Sequence, residues 1–312
     1  MSIRSKAILA VITGNVIFGF SFLFSKVALQ ITVPSVMLAV RFTTAFVVLN
    51  LIALVGRNIK KKDGSPLVAF SLRGKPLKYV LLLALFQPIV YFMAESYGIQ
   101  YTSSAFAGTI IAVIPIMGIV FDVIIMHAKV TWRQILCAVF SVVGVAITTV
   151  GAQGMKSSAI GVAFLLVAVV AGALFYVFAK KAGEHFNALE RTYVMFAAGS
   201  LMYITVSLVQ CAGEYDVYMG AAFGDYRFWL CILYLAVVSS VVAFIALNYG
   251  SFHVSVTEAS LFANLTTVIS IVAGVVIMGE TFTLQQIIGA VIIIGSVYIA
   301  NVDGVKKEEI QP

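Results

Sequence analysis

The chain has 312 residues, of which 62% are hydrophobic and 11% charged, with a formal net charge of +7. Soluble domains carry about 25% charged residues, so this chain lacks the polar residues to cover a water-facing globule. That excludes an ordinary soluble enzyme, a disordered chain and a secreted disulfide scaffold, and points to a protein that sits in lipid.

A helix needs about 20 residues to cross the hydrocarbon core. Ten apolar runs meet that length: roughly 7–30, 35–56, 77–100, 103–126, 132–151, 158–180, 190–211, 228–248, 254–278 and 284–302. They are long and continuous, unlike the short alternating segments of a membrane barrel. The first run follows Arg4 and Lys6, as a signal peptide would. Its apolar stretch is too long for one and no small-residue cleavage site follows, so it reads as a retained span.

Polar residues inside such runs are functional candidates, with a partner expected for each charge. The first span carries Asn15, Gly19, Phe22 and Lys26 on one face, and the second carries Arg41. On the third, Gln87, Tyr91 and Glu95 recur every four residues, which puts them on one helix face. Lys26, Arg41 and Glu95 fall at similar depth near one membrane surface, so Glu95 can pair with Arg41 or Lys26. Such a pair is either a stitch between helices, or an outer gate whose carboxylate carries a proton or a cation. Further along, Asp122, Lys180 and Glu258 fall near the opposite surface as inner-gate candidates. Glu258 has a second reading, as a carboxylate at the positive end of a helix dipole. Gly172, Tyr176 and Lys180, then Ser240, Phe244 and Asn248, and Ser260, Asn264 and Thr267 form further stripes. Such stripes either line a cavity or let membrane helices approach closely. Tyr91 and Tyr176 also suit a ring-bearing or cationic substrate through cation–π contact.

Charge placement sets an expected orientation. With the amino terminus inside, sixteen of the twenty Lys and Arg residues fall in inside segments. Two, Lys156 and Arg227, fall outside, and Lys26 and Arg41 lie within spans. Cytoplasmic loops hold the excess of basic residues, so both termini are expected in the cytoplasm, in the plasma membrane. The basic residues are thus orientation signals and imply no nucleic-acid partner. Cys137, Cys211 and Cys231 are widely spaced inside apolar runs and indicate neither a zinc site nor a disulfide framework. Phosphate-binding loops and hydrolase or metalloprotease motifs are absent from the sequence. Neither a cofactor nor a metal is expected, and any uphill work would have to draw on protons or a counter-substrate and not on a bound nucleotide.

The second half of the chain answers the first at an offset of 152 residues. Tyr97-Gly98 meets Tyr249-Gly250, Ile125-Met126 meets Ile277-Met278, and Thr131-x-x-Gln134-Ile135 meets Thr283-x-x-Gln286-Ile287. Five spans per half is an odd number, so the halves 1–151 and 152–312 enter the membrane in opposite directions. Inverted repeats of this kind support alternating access in secondary transporters.

The residues of this repeat also carry a resemblance. Ala259–Asn264, Ile271–Val276, Gly279-Glu280, Gln286 and Gly289, with Tyr101–Ala105, Ile114-Pro115, Thr131 and Gln134 in the earlier copy, resemble the EamA repeat of the drug/metabolite transporter superfamily. Gly19–Phe22 and Arg41-Phe42 fit the same pattern. The first copy departs from it with His127-Ala128 in place of Gly-Glu, and the second with Thr267 where the first has Pro115. The resemblance implies an all-α membrane protein of ten helices in two inverted five-helix repeats, a central cavity, and export or exchange of small metabolites. The expected function is therefore a secondary transporter for an amino acid-like or amphipathic, cationic compound, and not an enzyme. An intramembrane enzyme acting on a lipid-linked substrate is the alternative.

Overall fold

The computed structural model describes residues 2–58, 70–126, 131–151, 159–253 and 256–308. All regular structure among them is helical. In chain order the helices are α1 (Ile3–Leu29), α2 (Pro34–Asn58), α3 in three pieces (Leu77–Ala84, Leu85–Val90, Tyr91–Tyr101), and α4 in two (Ser104–Ile111, Ile114–Met126). Next come α5 (Trp132–Gly151), α6 (Ala159–Gly183), α7 (Ala188–Gln210) and an unnumbered short helix, Tyr215–Gly224. The chain closes with α8 in three pieces (Tyr226–Ile232, Leu233–Ala243, Phe244–His253), α9 (Val256–Val276) and α10 (Leu284–Glu308). Seven helices of the described residues are long and apolar enough to cross a membrane, namely α1, α2, α3, α4, α6, α7 and α8. The described parts of α5, α9 and α10 hold shorter apolar runs, Ile135–Thr148, Leu265–Val276 and Leu284–Ser296.

Local chemistry sets where these helices start and break. Pro34 opens α2, where its missing N–H costs nothing. Pro88 and Pro115 each lack the N–H that would bond four residues back, and the first pieces of α3 and α4 end at those acceptors, Ala84 and Ile111. The residue before a proline also avoids helical backbone, and Gln87 is extended at φ −145°, ψ 119°. Carbonyls released by a break must find donors in a dry interior. The Tyr203 hydroxyl on α7 supplies one, donating to Pro88 O at 2.8 Å and Ile89 O at 2.7 Å.

Helix starts are capped by side chains that take up orphan N–H groups. Asn187 and Glu190 form a reciprocal box at α7. At α10, Thr283 N donates to Gln286 Oε1 at 2.8 Å and Gln286 N to Thr283 Oγ1 at 3.3 Å. The repeated Thr-x-x-Gln-Ile pattern is thus a helix-start signal. Ile135 N and Ile287 N bond Thr131 O and Thr283 O in the same register. Glu280 caps another helix across space: Ser104 N and Ser104 Oγ donate to Oε1, and Ala105 N to Oε2, at 2.8–2.9 Å. Asp225 caps α8, and hydrogen bonds from Arg227 hold its carboxyl below its ordinary range.

The principal packing pairs are α1 with α8 and α9, α2 with α7, α3 with α6, α4 with α6 and α9, and α5 with α10. Glycines permit the closest approaches. A Cβ at Gly98 would meet the Leu165 side chain on α6 at 2.4 Å, and one at Gly250 would meet Val11 on α1 at 2.3 Å. On α10, a Cβ at Gly289 would meet Thr148 Oγ1 at 2.0 Å and Gly144 O at 2.6 Å.

Candidate functional site

Around the breaks in α3 and α8, side chains from six helices meet at one buried centre. Arg41 on α2 is fully buried. Its Nε donates to Ser240 Oγ at 3.1 Å and its Nη2 to Ser239 Oγ at 3.3 Å, both on the middle piece of α8. The guanidinium carbon lies 4.4 Å from the centroid of the Phe92 ring and 5.4 Å from that of Phe42. A cation over an aromatic face is stabilised by about 0.5–2 kcal/mol. Arg41 Nη1 has no hydrogen-bond partner among the described residues.

An aromatic cluster continues from the Phe42 and Phe92 rings beside the guanidinium. Phe244 on α8 meets Phe18 of α1, Phe92 of α3, Phe175 of α6 and Phe196 of α7, at centroid distances of 5.2–6.5 Å. Phe42 meets Phe92, Phe196 and Tyr203 at 5.3–5.7 Å. Beside this cluster the Tyr91 hydroxyl donates to Glu95 Oε1 at 2.7 Å, and both residues are buried. A hydrogen bond to an ionised group stabilises by roughly 1.5–3 kcal/mol.

Glu95 and Arg41 are near enough to feel each other's charge, but they do not form the direct pair that equal depth suggested. Two serines, not a carboxylate, hold the guanidinium. Lys26 bonds backbone carbonyls on the same helix as Glu95. Its Nζ donates to Ile99 O at 2.7 Å and to Thr102 O, carbonyls at the end of α3. A cation there complements the negative end of the helix dipole.

The uncharged candidates divide. Gln87 is buried at the break in α3. Asn248 Nδ2 donates to Thr192 Oγ1 at 3.2 Å and ties α8 to α7. Gly172 on α6 faces Tyr91, since a Cβ there would lie 3.3 Å from the Tyr91 ring. Tyr176 is one turn on along that face, yet it is 42% exposed. The α1 stripe is instead a packing seam. A Cβ at Gly19 would meet Ile269 at 2.5 Å, and Thr266 Oγ1 donates to Asn15 O at 3.0 Å. Asp122, Lys180, Glu258 and Asn264 sit on helical backbone, with side chains outside the described residues.

A second charged cluster escaped the sequence reading. Glu190 at the start of α7 accepts from Ser71 N at 2.8 Å, Lys75 Nζ at 2.5 Å and Asn187 N at 3.0 Å. Ser71 and Lys75 belong to the connection between α2 and α3. Next to it, Arg191 Nη1 donates to Ala179 O near the end of α6 at 3.0 Å. Ser239 was also missed, and Ser240, expected on a stripe with Phe244 and Asn248, proves to be a partner of Arg41. Their signal was present in the repeat offset, which aligns them with Gln87-Pro88 and aligns Phe244 with Phe92.

Long apolar helices packed around a buried polar and aromatic centre are those of a multi-pass membrane protein. The chain belongs to the EamA-like transporter family, whose model matches it twice, over residues 5–150 and 159–302. It is 33% identical to the uncharacterized transporter YcxC of Bacillus subtilis (strain 168), over 97% of this chain and 95% of that one. An uncharacterized transporter of Archaeoglobus fulgidus is 22% identical, with 90% and 93% covered. A solved structure superposes with a TM-score of 0.66 at 17% identity, covering 98% of this chain and 99% of its own, which shows a shared fold.

Proposed function

We propose that the chain is a secondary transporter that moves a small metabolite across the plasma membrane by alternating access. Ten spans form two inverted five-helix repeats, 1–151 and 152–312, with both termini in the cytoplasm. The carrying observation is the packing pattern, which maps onto itself when α1–α5 are exchanged with α6–α10. The pair α1 with α9 becomes α6 with α4, the pair α3 with α6 becomes α8 with α1, and α2–α7, α4–α9 and α5–α10 each map onto themselves. The repeat-related glycines Gly98 and Gly250 make the two exchanged close approaches. Exchange symmetry of this kind lets each half adopt the other's conformation, which is how inverted repeats alternate access.

In this reading the Arg41 centre is the substrate site. Tyr91, Glu95, Gln87, Tyr176 and Asn248 border it, Glu95 is the carboxylate available for coupling to protons, and Asn264 stays a candidate by its place in the sequence. Lys26 anchors the end of α3 beside it. Asp122, Lys180 and Glu258 remain inner-gate candidates by depth. Lys75–Glu190 is a further contact on that side, and it joins the first half to the second.

Reconstitution tests the function. Purified protein in liposomes should give saturable, protein-dependent flux of at least one member of a metabolite library, reduced by Glu95→Gln. Flux no greater than that of empty liposomes across the library would refute it. Orientation is tested separately, by placing a cysteine at Ser65 or Lys156 in a cysteine-free background. An impermeant thiol reagent added to intact cells should label position 156 and spare position 65, and the reverse pattern would invert the topology.

A further inference from the structure

Arg41 satisfies two of its three nitrogens with serine hydroxyls, and its third, Nη1, finds no acceptor among the described residues. A guanidinium has five N–H donors in a fixed planar fork. Leaving donors of a charged group unmet in a dry interior is costly, and natural structures do so rarely. The group is also held rigidly by Ser239, Ser240 and the face of Phe92. A fixed cation with an unmet donor is the geometry of an anion receptor, since planar guanidinium matches planar carboxylate.

Resting on the transporter reading above, we propose that Arg41 Nη1 receives the carboxylate of the transported molecule, so that the substrate is a small organic monoanion or zwitterion with an apolar body. Among the described residues Arg41 is the one cation of the aromatic cluster, and the Glu95 carboxylate leaves no surplus positive charge for a dianion such as a phosphate monoester, so a monoanion enters with a proton on Glu95 and a zwitterion brings its own cation. The rings of Phe42, Phe92 and Phe244 offer the body of the molecule an apolar wall. Nη1 is closed off from solvent here, as the far end of an alternately opened site would be. This reverses the preference for a cation that Tyr91 and Tyr176 alone suggest.

Matched probes test this on the full-length purified protein. Thermal unfolding is followed with 3-phenylpropionate, 3-phenylpropionamide and 3-phenylpropylamine, and with hexanoate, hexanamide and hexylamine. A ligand that binds the folded state raises its midpoint. Carboxylates should half-saturate this shift at a concentration at least tenfold below their amides. Arg41→Gln should erase the preference, while Arg41→Lys retains part of it. Should Arg41→Gln fail to fold, the Ser239→Ala, Ser240→Ala pair leaves the charge in place and should weaken carboxylate binding several-fold. Equal response to acid and amide, strongest response to amines, a preference that survives Arg41→Gln, or no response to any probe would overturn the proposal. Flux in liposomes separates this from the transporter reading. Carboxylate binding without flux would remove transport and leave the receptor. Flux of amines without carboxylate preference would do the opposite.

Discussion

Two buried charged groups, Glu190 and Arg41, are treated in opposite ways by this fold. Glu190 accepts from Ser71 N, Asn187 N and Lys75 Nζ, and it completes the capping box of α7. Arg41 is held by two neutral hydroxyls and a ring face, and retains an unmet donor. The first arrangement leaves nothing for a ligand to add. The second holds a charge in place without neutralising it by direct contact, which is what binding something else requires. Burial and charge alone therefore do not mark a site; the remaining hydrogen-bonding capacity does.

The contrast is broken or sharpened by mutation, taking the largest effect first. Arg41→Gln should lower flux by roughly 10–100-fold, the worth of a charge-assisted hydrogen bond. It should leave the unfolding midpoint within a few degrees, because no carboxylate contacts this charge directly and the relieved cost of burying it offsets the lost serine contacts. A large loss of stability with flux retained would make Arg41 a structural residue.

Glu190→Ala should show the reverse balance. Losing the cap and the Lys75 pair should cost about 1–2 kcal/mol, lowering the unfolding midpoint measurably while flux stays within a few-fold. The pair's own share of that loss is modest, because Lys75 is partly exposed and regains water. Unchanged stability would show that the cluster is ornamental.

Coupling on α3 supplies a third measurement. A double-mutant cycle between Tyr91→Phe and Glu95→Gln should reveal about 1–2 kcal/mol of coupling in thermal stability, since the two side chains touch. The cycle between Glu95→Gln and Arg41→Gln should give less than about 1 kcal/mol, since they act only across a gap. Stronger coupling in the second cycle would restore a direct ion pair. A smaller effect is expected at Lys26. Lys26→Met removes a cap from the end of α3 at about 0.5–1 kcal/mol, with transport within two-fold of wild type. A loss of flux to background would move Lys26 into the site.

Helix positions were legible because long apolar runs act locally, whereas the breaks at Pro88 and Pro115 were not read from the runs 77–100 and 103–126, although each proline stood in them. The Thr-x-x-Gln-Ile and Tyr-Gly matches were visible as repetition, and the structure supplies their physics, a helix-start box and a close helix approach. What sequence could not give was lateral proximity. Equal depth put Glu95 beside Arg41 and Lys26, whereas the lateral order of helices put α8 and its serines against Arg41 and the end of α3 against Lys26. Ser239 attracts no notice in an apolar run, and the stripe through Ser240 names no partner, because serine is equally at home in plain helix packing. The stripe at Asn15 and Gly19 shows the same ambiguity resolved the other way, as a seam against α9. Glu190 was passed over because it stands at a span end, where a carboxylate is ordinary.

Alternation between the two halves is the central claim, and Lys75–Glu190 gives direct access to it because it bridges them. Cysteines at positions 75 and 190, in a chain whose Cys137, Cys211 and Cys231 are replaced, can be joined by a short, reducible bifunctional thiol reagent. If the halves rock apart on this side in every cycle, complete cross-linking should drop flux to background, and reduction should restore it. Flux at the uncross-linked rate, with the bridge shown to be complete, would contradict the account.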